Sequence, residues 1–290
     1  MPAARAERAP AKLNLTLRVF GRRADGYHEI ESLVVFASLA DALAFMPGRS
    51  LVLSVDGPTA TAAGAIADNL VLKAARALAE RVEGVRLGRF VLSKRLPVAA
   101  GLGGGSADAA AALRLLAHAN RLALDDPRLG AAARATGADV PVCLDPRSRL
   151  MRGIGDVLSA PVGLPRLPAV LVNPRVAVHT KDVFARLGAP RIIRVVPDEA
   201  GDFPPTDRPA LLSYLHHRGN DLQPPAIALA PVIAGVLAAL QPLAGCRLAR
   251  MSGSGATCFA LFDQAKTAAA AARALRAQHP GWWVRTTMLG

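Results

Sequence analysis

The sequence predicts an α+β protein of two domains. Stretches of alternating hydrophobicity, the mark of strands, are interleaved with stretches of helical period along most of the 290 residues. A proline-rich join at 160–168 divides the chain into parts of ordinary domain size, 1–160 and 161–290. The second part ends on helix, two strands and helix, the order of a ferredoxin-like tail. At 52% hydrophobic and only 4% aromatic residues, the core is aliphatic and rich in alanine.

Each element has its own signal. Residues 1–10 read as a short flexible extension. Residues 13–20, Leu-Asn-Leu-Thr-Leu-Arg-Val-Phe, alternate as a half-buried strand, and 21–26 form a charged turn. Segments 33–37, 42–46 and 50–55 read as further strands, the last closed by Asp56-Gly57-Pro58. Asp68 or Asn69 is placed to cap a helix over 70–82. A strand over 89–94 leads through glycines into a helix over 106–120. The next helix spans 127–136, and Gly137 ends it as a C-cap glycine. Residues 150–158 are extended chain around a turn at Arg152-Gly-Ile-Gly155, and 169–172 form the first strand after the join. Residues 190–210 are rich in proline and read as a long loop or lid. Helices over 231–240 and 264–278 enclose strands over 247–252 and 258–262.

The strongest functional signal lies between strand and helix at Gly101-Leu102-Gly103-Gly104-Gly105-Ser106. Glycines let backbone N–H groups approach a ligand closely. A helix start adds unpaired N–H groups and the positive end of the peptide dipole. Together they form an anion site suited to a nucleotide's phosphates. No Gly-Lys-Ser/Thr follows, so this is not a Walker loop, and the spacing does not fit G-x-G-x-x-G.

The net charge of +13 raises the question of nucleic acid. Lysine occurs only at Lys12, Lys73, Lys94, Lys181 and Lys266, and the arginines are scattered, with no basic run and no interleaved aromatics. A compositional bias toward Ala, Arg, Gly and Pro accounts for the charge better than a specific nucleic-acid function. Cys143, Cys246 and Cys258 are widely spaced and odd in number, against a disulfide framework and in keeping with a reducing cytoplasm. No charge-free apolar run reaches the roughly 18 residues of a membrane span, and the N-terminus lacks a signal-peptide core. The sequence leaves monomer and homodimer both open.

Pro97-Val-Ala-Ala-Gly-Leu-Gly-Gly-Gly-Ser-Ala-Asp-Ala-Ala110 resembles the central ATP-binding motif of the GHMP kinases. Ala9-Pro-Ala-Lys-Leu-Asn-Leu15 and Met251-Ser-Gly-Ser-Gly-Ala256 resemble the other two motifs of that superfamily, in the expected order. Asp25-Gly-Tyr-His28 and Gly137-Ala-Asp-Val-Pro-Val142 are similar to the branch whose acceptor is a cytidine-diphosphate-linked methylerythritol. The resemblance spans nearly the whole chain. It implies the two-domain GHMP kinase fold, with an N-terminal domain like ribosomal protein S5 domain 2 and a ferredoxin-like C-terminal domain. It also implies phosphorylation of the acceptor's 2-hydroxyl, with ATP as donor and Mg²⁺ arriving with the nucleotide. No nucleic acid or membrane partner is implied.

The resemblance also assigns residues. Asp139 corresponds to the catalytic base; read alone, an Asp before Val-Pro is more often a turn residue. It stands after a helix end and before a short apolar segment read as a strand. Lys12 corresponds to the cation beside that aspartate, although a lone Lys at a strand start is usually a solvated charge. Pro97, Val98, Ala99, Ala100, Gly101, Leu102, Gly103, Gly104, Gly105, Ser106 and Ala107 correspond to the ATP loop, where Ala107 replaces a usual second serine. Asn69 and Lys94 are possible adenine contacts, with helix capping the competing role for Asn69. Tyr27 and His28 would hold the cytosine, with Phe184 closing its other face; alternatively they form a turn. Asn14, Thr180, Gly253 and Ser254 border the acceptor, and Ser106 is a possible ligand of the divalent ion. Other acceptors of the superfamily, mevalonate and homoserine, carry no base for Tyr27 to stack on.

Overall fold

The computed structural model describes residues 4–192 and 203–290. In chain order the first elements are β1 (Arg5–Asn14), β2 (Arg18–Arg22), β3 (His28–Pro47), β4 (Val52–Asp56), α1 (Leu70–Ala79) and β5 (Gly88–Ser93). Then come α2 (Gly104–Ala119), α3 (Pro127–Thr136), α4 (Val140–Leu144), β6 (Arg149–Gly153), β7 (Val157–Leu158) and β8 (Leu167–Asn173). The chain continues through α5 (Thr180–Leu187), α6 (Arg208–His217), α7 (Gln223–Leu229) and α8 (Val232–Leu240). It ends with β9 (Cys246–Met251), β10 (Cys258–Phe262), α9 (Ala265–Gln278) and β11 (Trp283–Leu289).

The chain forms two compact units, each made of three stretches. One comprises Met1–Lys12, Leu39–Val98 and Gly103–Pro146; the other comprises Leu13–Ser38, Ala99–Leu102 and Arg147–Gly290. The expected single cut, 1–160 against 161–290, does not describe this division. Strands β1 and β3 each pass from one unit into the other, and the glycine loop does the same.

In the first unit, β5 pairs antiparallel with the end of β3 and parallel with β4. Helix α2 packs against α1 and α4. Its residues from Ala107 to Ala117 are buried, and most are alanine or leucine, so neighbouring helices can come close. Asn69 starts α1 by accepting a hydrogen bond from the Val71 N–H.

In the second unit, β11, β8, β10 and β9 lie side by side in that order, all antiparallel. Counting these four strands along the chain gives the order 4-1-3-2, with α9 and the α5–α8 helices in the crossovers, which is the expected ferredoxin-like arrangement. The stripe Ala268, Ala271, Ala272 and Leu275 buries one face of α9 in a core with Val170, Val172, Ala260 and Phe262. The first half of β3 pairs with β2 and β6.

Several expectations need correction. Residues 5–14 form a strand rather than part of a flexible extension, and the chain breaks at 15–17 before β2. The separate strands at 33–37 and 42–46 are one strand of 20 residues; burial falls at Ser38, Leu39 and Ala40, which imitates a break. Gly137 takes an extended φ of 176° rather than a left-handed one. The segment after Asp139 is the short helix α4 rather than a strand. Helices α5, α6 and α7 carried no clear sequence signal. Ten residues of the expected lid, 193–202, lie outside the described residues, and its last residues, 208–210, begin α6 instead. Among the described residues no helix is long and apolar enough to cross a membrane.

Candidate active site

Lys12 lies near the end of β1, and its ammonium meets Asp139 Oδ2 at 2.9 Å. The Lys12 side chain is 5% exposed and that of Asp139 36%, so the pair presents its carboxylate to solvent while its cation is walled in. Asp139 occupies the cap position of α4 without spending its side chain on a capping hydrogen bond. Gly103 makes room for Lys12: a Cβ there would lie 3.1 Å from the lysine's Cβ and Cε. Below the pair, burial pushes the Cys143 thiol up to about 12, with Asp139 adding to the effect, so Cys143 is an inert apolar filler.

The glycine loop is held differently at its middle and its end. In the second unit, Gly101 lies directly on the segment after β9. A Cβ on Gly101 would fall 2.4 Å from the Ser252 carbonyl oxygen, and its φ is +72°. The Ser252 hydroxyl donates to the Gly101 carbonyl at 2.9 Å, and the Thr257 N–H donates to the Ala100 carbonyl. In the first unit, Gly103 is the N-cap of α2 in a left-handed conformation and supplies no side-chain cap. The opening turn, Gly104, Gly105 and Ser106, is left to satisfy its N–H groups from outside the helix. Leu102 and Ala107 are buried, and the Ala107 N–H is taken by the Gly103 carbonyl.

Lys94 does not reach outward. Its side chain is 5% exposed, and its ammonium donates to Asp41 and, at 2.8 Å, to Asp108. Burial opposes the lysine's charge, but the two carboxyls outweigh it and hold its pKa above the usual value. Burial pushes Asp108 up to about 7 against the pull of Lys94, with Asp41 adding to the rise. The ammonium of Lys94, expected near the adenine, is thus bonded within a buried cluster. The Asn69 side-chain oxygen is likewise committed to capping α1.

The acceptor-side residues lie in the second unit. The Asn14 backbone N–H donates to the Ser252 hydroxyl at 3.1 Å, and its side-chain amide donates to Ser32 at 2.7 Å. A Cβ on Gly253 would stand 3.2 Å from Asn14 Oδ1. Thr180 and Ser254 share a hydrogen bond of 2.8 Å. Tyr27 is 57% exposed, on a turn where its N–H donates to Asp25. Phe184 stacks on His28 with ring centroids 4.5 Å apart, so it backs the histidine and leaves no gap for a base between those two rings. Burial, followed by the nearby Arg22, holds His28 below its usual value, keeping the ring neutral.

Sequence reasoning passed over Asp41, Asp108, Ser32 and Asn220, whereas Ser252 belongs to the last glycine motif and does brace the loop at Gly101. The Asn220 amide bridges the carbonyls of Met251 and Gly253 at 2.8 Å each. Asp108 did carry a signal, as the one acid within an alanine-rich buried helix. Asp41, fully buried between apolar neighbours in β3, carried another.

Comparison with known proteins adds to this geometry. Residues 69–145 match the model of the GHMP kinases N terminal domain, and 206–281 that of the GHMP kinases C terminal domain. The chain is 63% identical over 286 residues to the 4-diphosphocytidyl-2-C-methyl-D-erythritol kinase of Xanthobacter autotrophicus, covering 97% of this chain and 98% of that protein. It is 60% identical to the protein of the same name from Methylobacterium radiotolerans, covering 98% of each. Among solved structures it resembles a 4-(cytidine 5'-diphospho)-2C-methyl-D-erythritol kinase, with TM-score 0.77, 36% identity and 99% of both chains covered. The homoserine kinase of Cytophaga hutchinsonii, at 19% identity and TM-score 0.69 over 99% of this chain and 95% of that one, shares the fold.

Proposed function

The chain belongs to the GHMP kinase family, and from that premise we propose that it transfers the terminal phosphoryl group of ATP to the 2-hydroxyl of 4-diphosphocytidyl-2-C-methyl-D-erythritol. The reaction is a step of non-mevalonate isoprenoid biosynthesis and releases ADP. The observation that carries the reading is the Lys12–Asp139 pair, 2.9 Å apart with its carboxylate partly exposed.

Phosphoryl transfer asks little covalent chemistry of a protein: position the reactants, stabilise charge and receive a proton. Asp139 is the base that orients the acceptor hydroxyl and takes its proton as the P–O bond forms. Lys12, paired with Asp139, stabilises negative charge developing at the oxygen. The N–H groups of Gly104, Gly105 and Ser106 hold the phosphates at the start of α2. Tyr27 offers an exposed ring to the cytosine, and the neutral His28, braced by Phe184, offers hydrogen bonds to its edge. Asn14, Thr180, Gly253 and Ser254 border the acceptor chain.

Mg²⁺ fits as an ion carried by the nucleotide. No group of three or more His, Cys, Asp or Glu able to hold a metal occurs among the described residues, and Ser106, half-buried on the first turn of α2, would offer the ion a hydroxyl. When bound, the ion neutralises charge on the phosphates. The three free thiols suit the cytoplasm.

The test measures ADP release from MgATP with 4-diphosphocytidyl-2-C-methyl-D-erythritol, mevalonate and homoserine as parallel acceptors. Turnover with the first alone is expected. Turnover with either of the others in its place would overturn the acceptor assignment.

A further inference from the structure

The glycine loop is bracketed by one buried cluster. On the entering side, Asp41 Oδ1 accepts hydrogen bonds from the backbone N–H groups of Arg95 and Leu96, the latter at 2.9 Å. On the leaving side, Asp108 belongs to α2, within the buried stretch that follows its first turn. Lys94 joins the two, since its ammonium donates to Asp41 Oδ2 and Asp108 Oδ2. The lysine is itself fixed at the backbone, where its N–H donates to the Asp56 carbonyl at 2.7 Å and its carbonyl accepts from Thr59. The cluster also sits under the first residue of α2: a Cβ built on Gly104 would lie 3.6 Å from Lys94 Nζ and 3.8 Å from Asp41 Oδ2.

Burying three ionisable groups is costly, and apolar residues of like size often serve stability as well or better. What apolar packing cannot supply is directional bonds that fix backbone N–H groups. Asp108 Oδ1 is buried without a partner among the described residues, so Lys94 is the bond that ties this carboxyl to the entering strand.

We propose that Asp41 and Asp108, joined through Lys94, clamp the two ends of the glycine loop and are positioning residues for the phosphates of ATP. The inference rests on the nucleotide reading of that loop and is independent of which acceptor is used. The cluster touches no reacting atom; it fixes where the N–H groups of Gly104, Gly105 and Ser106 stand.

The experiment compares Asp108→Ala and Asp108→Asn with the parent protein by ADP calorimetry, steady-state kinetics and thermal melting. Asp108→Ala is expected to weaken ADP binding and raise KM for ATP about tenfold, with kcat at saturating ATP and KM for the acceptor within about twofold. Asp108→Asn keeps an oxygen for Lys94 and is expected to recover most of the affinity. A lowered melting temperature with ADP affinity and KM for ATP unchanged would mean that Asp108 only stabilises the fold, and the proposal falls. Should Asp108→Ala fail to fold, the double variant Lys94→Met/Asp108→Leu takes its place, because it exchanges the buried pair for apolar side chains. A folded double variant with weakened ADP binding supports the clamp, and one with parental affinity overturns it. ADP binding needs no acceptor, so failure of the clamp and failure of the acceptor assignment are read separately.

Discussion

Asp139 and Lys12 stand 127 positions apart and meet at 2.9 Å with unequal exposure, 36% for the carboxylate and 5% for the ammonium. A base that receives a proton contributes about 10²–10⁴-fold to a rate, and its amide analogue keeps the shape but not the proton affinity. Asp139→Asn is therefore expected to lower kcat by that factor while ADP affinity, measured by calorimetry, stays at the parental value. A near-parental kcat would remove Asp139 from the mechanism. Tyr27 is tested through the acceptor instead. Loss of base–aromatic stacking costs about 1–3 kcal/mol, so Tyr27→Ala should raise KM for the cytidylyl substrate about 5- to 150-fold and leave KM for ATP alone. Equal rises in both would mean that Tyr27 shapes the fold rather than the cytosine site. His28 adds a pH dependence whose sign is fixed by its lowered pKa, caused first by burial and then by Arg22. The neutral ring is complete above the ordinary value of 6.5 and persists below it, and both His28-linked stability and base recognition are lost as pH falls toward the lower folded value. KM for the acceptor should thus be flat above pH 6.5 and rise only on the acid side, and His28→Gln should abolish that rise.

The glycines of the loop are not equivalent, because different elements press on them. Gly101 has φ +72° and the Ser252 carbonyl oxygen 2.4 Å from where its Cβ would be, whereas Gly104 lies in α2 with 3.6 Å to its nearest neighbour. Gly101→Ala must both adopt a left-handed conformation, at about 1–2 kcal/mol, and displace backbone. Its expected result is a raised KM for ATP and a lower melting temperature, while Gly104→Ala is expected to keep the parental melting temperature. Parental behaviour of Gly101→Ala would show that the loop can leave the segment after β9 without loss. This contrast marks what was legible in the sequence. Glycine density and the strand and helix on either side are local signals, so the loop, β10 and α3 were readable to within a residue or two. The partners of those glycines were not, since Ser252 lies 151 positions from Gly101 and Lys94 lies 53 from Asp41. The Lys12–Asp139 pairing came only through resemblance to a family, as no spacing rule joins such distant residues. Strand β3 was misread because its long register dips to exposed residues at Ser38, where a local pattern looks like an end.

At the scale of the whole molecule, the net charge of +13 overstates the basic field available to a partner. Part of the arginine is consumed by the fold. Arg114 is buried, bonding the carbonyls of Cys143 and Arg8 and the carboxylate of Glu7. Arg250 donates to the carbonyls of Leu15 and Leu215 at 2.7 Å each, and burial lowers its pKa to about 10. The other basic residues are scattered along the sequence, and positive charge without an organised surface binds nucleic acid only through released counterions. The protein is therefore expected to be retained on a duplex-DNA or heparin column at low ionic strength and to elute below physiological salt, with no difference between unrelated DNA sequences. Retention that survives about 200 mM salt, where purely electrostatic contacts lose orders of magnitude in affinity, or that depends on sequence, would show an organised nucleic-acid surface and reopen the meaning of the charge.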